Sequence, residues 1–331
     1  MNEKLFTSGR NMVNIDPVVN AWHWEIPAYL FLGGLAAGLV FFASFFYLRG
    51  REEEMPISVK IAPVIAPLAI VLGLVFLLLD LKHKLYFWQL YTTIRFESPM
   101  SWGAWTLGIV MPLSIIWPLL YLGDIKKYLW NRNIFFYEIV DWVDKQIQSI
   151  GFLKDILDTL KEYQKAIAWM NVILSIILGV YTGILLSAFN ARPLWNTAIL
   201  GPLFLTSGVS TAAATIMWMS YKHEELVKFS RIDLWLIAVE LFLITHMFMG
   251  LSSGTTASAE AAALFLGGPY TVVFWVGVVA LGLVFPAVLE IMELIGYKVP
   301  VSIPAFFILL GGLLFRFIMV DAGQFSKFLI Q

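Results

Sequence analysis

The sequence contains no cysteine. That absence excludes disulfides, a thiol nucleophile, cysteine-held zinc and cysteine-ligated iron–sulfur clusters. Histidine is scarce: His23, His83, His223 and His246 are all there is. A bis-histidine haem in a membrane needs two imidazoles at depth on facing helices. Only His246 lies within a long apolar run, so no haem of that kind is expected. Charge is also sparse. Charged residues make up 14% of the 331, against about 25% in a soluble domain. Net charge is −1, which leaves no basic field for nucleic acid. No glycine loop joins a strand to a helix, so no nucleotide site is indicated. No catalytic triad or metal-binding carboxylate cluster stands out, and no metal is expected. Residues 1–20 lack the apolar core of a signal peptide, so the first apolar run is expected to insert as a permanent helix.

What the chain has in excess is apolar side chains, 60% of the total. A soluble fold has too little interior to hide them. A membrane span takes about 20 mostly apolar residues. Eight such runs are present, near 26–48, 59–80, 102–122, 167–189, 197–220, 232–251, 269–291 and 301–321. The fold class predicted is an all-α integral membrane protein. Lysine and arginine concentrate in the loops after odd-numbered spans (Arg49, Arg51, Lys126, Lys127, Arg132, Lys222 and Lys228 among them). Lys4, Arg10, Lys82, Lys84, Arg95, Arg192 and Lys327 fall on the other side. The positive-inside rule then puts both termini on the outer side of a cytoplasmic membrane.

The 123–166 loop balances its charges and spaces Phe135, Phe136, Ile139, Trp142, Val143, Ile147 and Ile150 as on one face of a helix. An amphipathic segment lying at the lipid interface is predicted there. A faint repeat divides the chain. Trp22 precedes Leu30-Phe31-Leu32 as Trp195 precedes Leu203-Phe204-Leu205, and small residues follow in both cases. Two parallel four-helix bundles are the simplest architecture: an outer segment 1–25, a first bundle over 26–189 that includes the loop, and a second over 190–331. Chance likeness between two apolar helices is the competing account.

Ionisable groups inside a span are costly and mark function by default. Glu240 and His246 in the sixth span, with Asp80 at the end of the second, are candidates for a proton path; satisfied buried hydrogen bonds are the plainer reading. Arg316 in the eighth span is expected to pair with a carboxylate or to cap carbonyls. Glu290 and Glu293 are expected to be reached by water. Trp22-His23-Trp24-Glu25 combines an interfacial aromatic belt with two groups that can exchange protons. A quinone head group needs hydrogen-bond donors and proton exchange of that kind. Tyr181 offers a phenol to a carbonyl, though a lone tyrosine at this level is usually a belt residue.

Trp22-His23-Trp24 followed by Tyr29-Leu30-Phe31-Leu32-Gly33-Gly34-Leu35-Ala36-Ala37-Gly38 resembles the opening of the NrfD/PsrC family, the membrane quinone-reactive subunits of polysulfide reductase-like complexes. Ser98-Pro99-Met100-Ser101-Trp102-Gly103-Ala104-Trp105, then Tyr181-Thr182-Gly183 with Arg192-Pro193-Leu194-Trp195-Asn196, then Pro202-Leu203-Phe204-Leu205, and finally Ala322-Gly323-Gln324 are similar to later family segments in the same order. The resemblance implies eight helices in two bundles and a quinone/quinol oxidoreductase subunit of a respiratory complex. Menaquinone or another quinone would be its substrate. Its partners would be a ferredoxin-like iron–sulfur subunit and a molybdopterin-type catalytic subunit. The family's quinone-contacting tyrosine falls on Tyr181. Tyr29 stands where some members have a histidine, and Leu81-Lys82-His83-Lys84 departs from the Gly-Arg-Pro of many relatives. Candidate catalytic residues are Tyr181, His23 and Glu25; Tyr29, Trp24 and Arg192 join Tyr181 and His23 as quinone contacts. The rival functions are a secondary transporter with a midplane carboxylate and a purely structural anchor.

Overall fold

The structure, a computed structural model, describes residues 22–130 and 132–326. The expectations for residues 1–21, for Lys4 and Arg10 within them, and for Lys327 lie outside that range. Every regular element among the described residues is helical. Eight helices are long and apolar enough to cross a membrane: α1 Glu25–Leu48, α2 Ile57–Asp80, α3 Pro99–Leu119, α4 Gln164–Ser187, α5 Leu200–Met219, α6 His223–Ser252, α7 Val273–Ile295 and α8 Ser302–Phe325. These match the eight predicted spans. The largest shift is at α6, which starts nine residues before the apolar run, with Glu225 of the added segment buried against the start of α2. The chain is a multi-pass membrane protein.

Local chemistry sets several helix ends. Pro99, with no N–H to satisfy, starts α3. Glu225 of α6 accepts the backbone N–H of Ser58 at 2.8 Å and of Ile57 at 3.3 Å. A carboxylate therefore meets the positive end of α2. Gly296 ends α7 at φ 106°, a conformation that glycine adopts without a Cβ penalty.

Helices α1 and α5 are the most buried of the eight, 78% and 72% over their apolar windows. They cross where neither carries a bulky side chain: a Cβ on Gly208 would stand 2.8 Å from the Gly34 carbonyl oxygen. Small residues let membrane helices approach in this way. Around that crossing, α1 packs on α2, α4, α5 and α8, and α5 packs on α6, α8, α1 and α4.

The 123–166 region forms three short helices, Leu122–Leu129, Ile134–Ser149 and Gly151–Glu162, where one amphipathic helix was predicted. Asn133 caps the second by accepting the Phe136 N–H at 3.2 Å. Phe135, Phe136, Trp142 and Phe152 stay exposed, an apolar face suited to lipid. The face carrying these helices is the long-loop face below; Trp22 and Ser326 mark the opposite, terminal face.

Candidate functional site

At the terminal face, Glu25 opens α1 and Tyr29 follows one turn later on the same side. Tyr29 is 4% exposed, and its ring lies 3.3 Å from where a Cβ on Gly73 of α2 would be. Helix α4 supplies Tyr181, 8% exposed, whose phenol fills the space over Gly103 of α3. The Ser-Pro-Met-Ser-Trp-Gly-Ala-Trp segment thus has separable tasks. Pro99 starts the helix. The Trp102 indole donates to the Phe96 carbonyl at 2.8 Å and ties down the preceding linker. Gly103 leaves room for the phenol.

The Tyr29 hydroxyl is within electrostatic reach of those of Tyr181 and Tyr91. The structure therefore brings together the two tyrosines expected from sequence and adds a third. Tyr91 escaped notice because it lies in a short helical turn between spans, with no periodic pattern to single it out. Burial pushes its phenol up, keeping it a hydrogen-bond donor at neutral pH. Tyr91 also borders an apolar groove of about 260 Å³ formed with Leu74, Leu78, Phe87, Leu90 and Met111.

At the same end of the bundle, where α1 starts and α2 ends, His23, Glu25 and Asp80 place their ligand atoms within 4.8 Å of one another. One Glu25 oxygen is buried with no hydrogen-bond partner. His23 is exposed and Glu25 and Asp80 are half-buried, so the trio is reached from water. Two carboxylates and an imidazole at this spacing can pass protons as readily as hold a cation. Trp24 packs edge-on against Phe76 of α2 at 5.2 Å.

On the other side of the α1 start is a cavity of about 550 Å³ bordered by Trp22, His23, Trp24, Tyr270, Asp321 and Gln324. Tyr270 donates to Asp321 at 2.7 Å; burial, and then that carboxylate, push its phenol up. Arg192 is buried and donates to the carbonyls of Gln324 at 3.1 Å and Ser326 at 2.8 Å, closing the C-terminal end of α8. Its guanidinium is directed to these carbonyls. Trp195 donates to the Met319 carbonyl at 2.8 Å and lies over Gly323. The Arg-Pro-Leu-Trp and Ala-Gly-Gln segments, far apart in sequence, interlock here.

Glu240 is 5% exposed and within electrostatic reach of Arg316, which is fully buried. Arg316 donates to Ser207 at 2.6 Å and to the Gly312 carbonyl at 2.8 Å, matching its expected capping role. His246 departs from expectation: it is exposed on the outside of α6, bonded at 2.8 Å to the Phe242 carbonyl. Six residues are about 1.7 turns, so Glu240 and His246 point to different sides. Glu290, expected to meet water, is fully buried beside Asp233. Apolar composition hid both carboxyls, because each sits near a span end where charge is routine.

The sequence pattern of the family described as "Polysulphide reductase, NrfD" matches residues 13–326. The protein is 33% identical over 317 residues to a polysulfide reductase chain of Wolinella succinogenes, with 92% of its own length and 94% of that relative covered. It is 30% identical over 317 residues to protein NrfD of Escherichia coli, covering 92% and 95%. A selenate reductase subunit of Mesobacillus selenatarsenatis is 22% identical over 332 residues, covering 91% and 73%. Tyrosines seated on glycines from other helices, the start of α1 and the end of α8 locked by Gln324 and Arg192, and a family match along nearly the whole sequence agree: the chain belongs to the NrfD polysulphide reductase family and is a membrane subunit of a multi-subunit reductase.

Proposed function

We propose that this subunit exchanges electrons between a quinone pool and an iron–sulfur partner, which wires it to a molybdopterin-type catalytic subunit. The observation that carries the reading is the cluster of Tyr29, Tyr181 and Tyr91, together with His23, Glu25 and Asp80 near the start of α1. Neither the Tyr29 nor the Tyr181 hydroxyl is hydrogen-bonded to another described residue. Buried phenols ordinarily find a partner, and a quinone oxygen supplies one. The apolar groove beside Tyr91 suits the ring's hydrocarbon substituents.

In this reading the tyrosine hydroxyls orient the ring oxygens. His23, Glu25 and Asp80 carry the two protons that accompany each two-electron turnover to or from water. The electrons pass to the partner, since a chain without cysteine has no means of ligating a cluster. The partner docks on the terminal face, and the chain divides near residue 190 into two four-helix bundles. The membrane is the cytoplasmic one, with both termini outside. The buried Glu240 also suits a transporter, the principal rival, but the phenol cluster is not needed for one.

The native complex, purified in mild detergent, tests the reading. Mass spectrometry is expected to find a ferredoxin-like subunit and a molybdopterin protein. Tyr181→Phe is expected to cut quinol turnover per assembled complex about tenfold or more, the worth of one hydrogen bond in a dry site. Unchanged turnover sinks the role of Tyr181. A protein that purifies alone, free of quinone and iron, favours the transporter.

A further inference from the structure

A second polar region lies inside α5, α6, α7 and α8, away from the tyrosines. Asp233 and Glu290 are fully buried, as is Arg316; Glu240 is 5% exposed. Asp233 accepts a hydrogen bond from Ser210 of α5 at 2.7 Å. Its other oxygen faces the Glu290 carboxyl of α7. Two turns along α6, Glu240 approaches Ser207 and Arg316. Toward the long-loop face, Glu293 lies one turn beyond Glu290 and approaches Ser230 and the exposed His223.

Five polar atoms here have no hydrogen-bond partner: Oδ2 of Asp233, Oε1 of Glu240, both carboxyl oxygens of Glu290 and Nε of Arg316. Buried polar atoms are almost always satisfied, by protein or by ordered water. A proton shared between Asp233 and Glu290 joins those two carboxyls; the second Glu290 oxygen, Oε1 of Glu240 and Nε of Arg316 are left over, each on a deeply buried side chain, and call for water. Two carboxyls facing each other away from solvent cannot both carry charge, so at least one of them holds a proton. The other charged groups nearby are accounted for. Glu225 caps α2, Lys60 pairs with Glu52 and Glu53, and Glu260 is exposed. Helix α5 contributes only hydroxyls.

We infer that α5 to α8 enclose a file of water that carries protons from His223 and Glu293 at the long-loop face, through Glu290 and Asp233, to Glu240 and Arg316. Each step passes a proton between a water and a carboxyl oxygen, or at His223 an imidazole nitrogen, while Arg316 only holds water by donating to it, and no bond of the protein is otherwise changed. Asp233 and Glu240 are separated by about 10 Å along α6, with the buried Ile237 between them. The file must pass this apolar turn. Asp233 and Glu290 enter in place of His246, which faces away. The inference rests on the quinone reading only for what drives the protons.

Infrared spectroscopy of the purified complex tests the file without any substrate. A protonated-carboxyl band is expected, shifted within minutes in heavy water, and lost in Glu290→Gln and in Asp233→Asn. A band that does not exchange, or one that survives both substitutions, overturns the proposal. The second measurement uses the complex in vesicles with a water-soluble quinol and a trapped pH indicator. Glu290→Gln and Asp233→Asn are expected to lower protons moved per electron at least twofold while electron transfer continues. The exchanged pair, Asp233→Glu with Glu290→Asp, is expected to restore the ratio. An unchanged ratio in the single variants overturns the proton role. Absence of any quinol reaction in the unaltered complex counts against the quinone reading instead, and the infrared result still decides the file.

Discussion

The phenol of Tyr181 occupies the space that a side chain at position 103 would need. Gly103→Ala is therefore expected to push the ring off its seat without touching its chemistry. Turnover with quinol should fall about as far as in Tyr181→Phe. The double variant should be little worse than either single one, because both act on one contact. Full additivity in the double-mutant cycle would separate the glycine from the tyrosine.

The start of α1 and the end of α8 are sewn together by one amide side chain. Gln324 accepts the Trp22 N–H at 2.9 Å and donates to the Trp22 carbonyl at 2.8 Å. The indole of Trp22 then packs against Phe189 and Trp195 at 4.9 and 5.3 Å. Gln324→Leu keeps the bulk and loses both bonds, a cost of about 2 kcal/mol. Amide hydrogen exchange at residues 22–28 should quicken, while that of α5 should not. Equal protection at both places would show that the aromatic packing alone holds the start of α1.

The Ile134–Ser149 helix is tethered by ions. Lys126 bonds Asp144 and reaches Asp141 at 3.4 Å, and Lys145 bonds Asp141 at 2.7 Å. Lys145 first, and then Lys126, hold the Asp141 carboxyl below its ordinary range. A carboxyl with a lowered folded value stabilises above its unfolded pKa, near 3.9, and stops doing so as pH falls through the lowered value. The lysines, held high, give their share at any pH below about 10. Docking of this helix, followed by Trp142 fluorescence, should be flat from about pH 5 to 9 and weaken below about 4. Lys126→Ala should loosen it at neutral pH. A transition near pH 6.5 would implicate a histidine instead.

The eight spans were legible because membrane insertion writes itself into composition: long apolar runs leave little choice of structure. Tyr29 and Tyr181 were singled out through motif likeness, and the structure brings their hydroxyls near each other. Their neighbour Tyr91 was not, because it reaches the site from a linker. Arg192 was singled out with the Arg-Pro-Leu-Trp motif as a quinone contact; only the path of α8 reveals that it bonds the carbonyls there. Asp233 and Glu290 were missed for a related reason. A carboxyl near the end of an apolar run looks solvated until the neighbouring helices are in place. His246 shows the opposite error, since depth in a span says nothing about which side of the helix a residue faces.

Glycines that touch nothing and glycines that touch backbone should behave oppositely. Gly250 in α6 has no neighbour within 4 Å of its Cβ direction, whereas Gly208 meets the Gly34 backbone at 2.8–3.0 Å. Gly250→Ala removes backbone freedom and should be neutral or stabilise by up to about 1 kcal/mol. Gly208→Ala has only backbone to push against, so α1 and α5 must separate. Ser207, next in sequence, holds Arg316, and the separation should loosen that bond as well. Thermal unfolding in detergent should therefore drop for Gly208→Ala and not for Gly250→Ala. A similar drop in both would mean that helix flexibility, and not the close crossing of α1 with α5, is what the glycines supply.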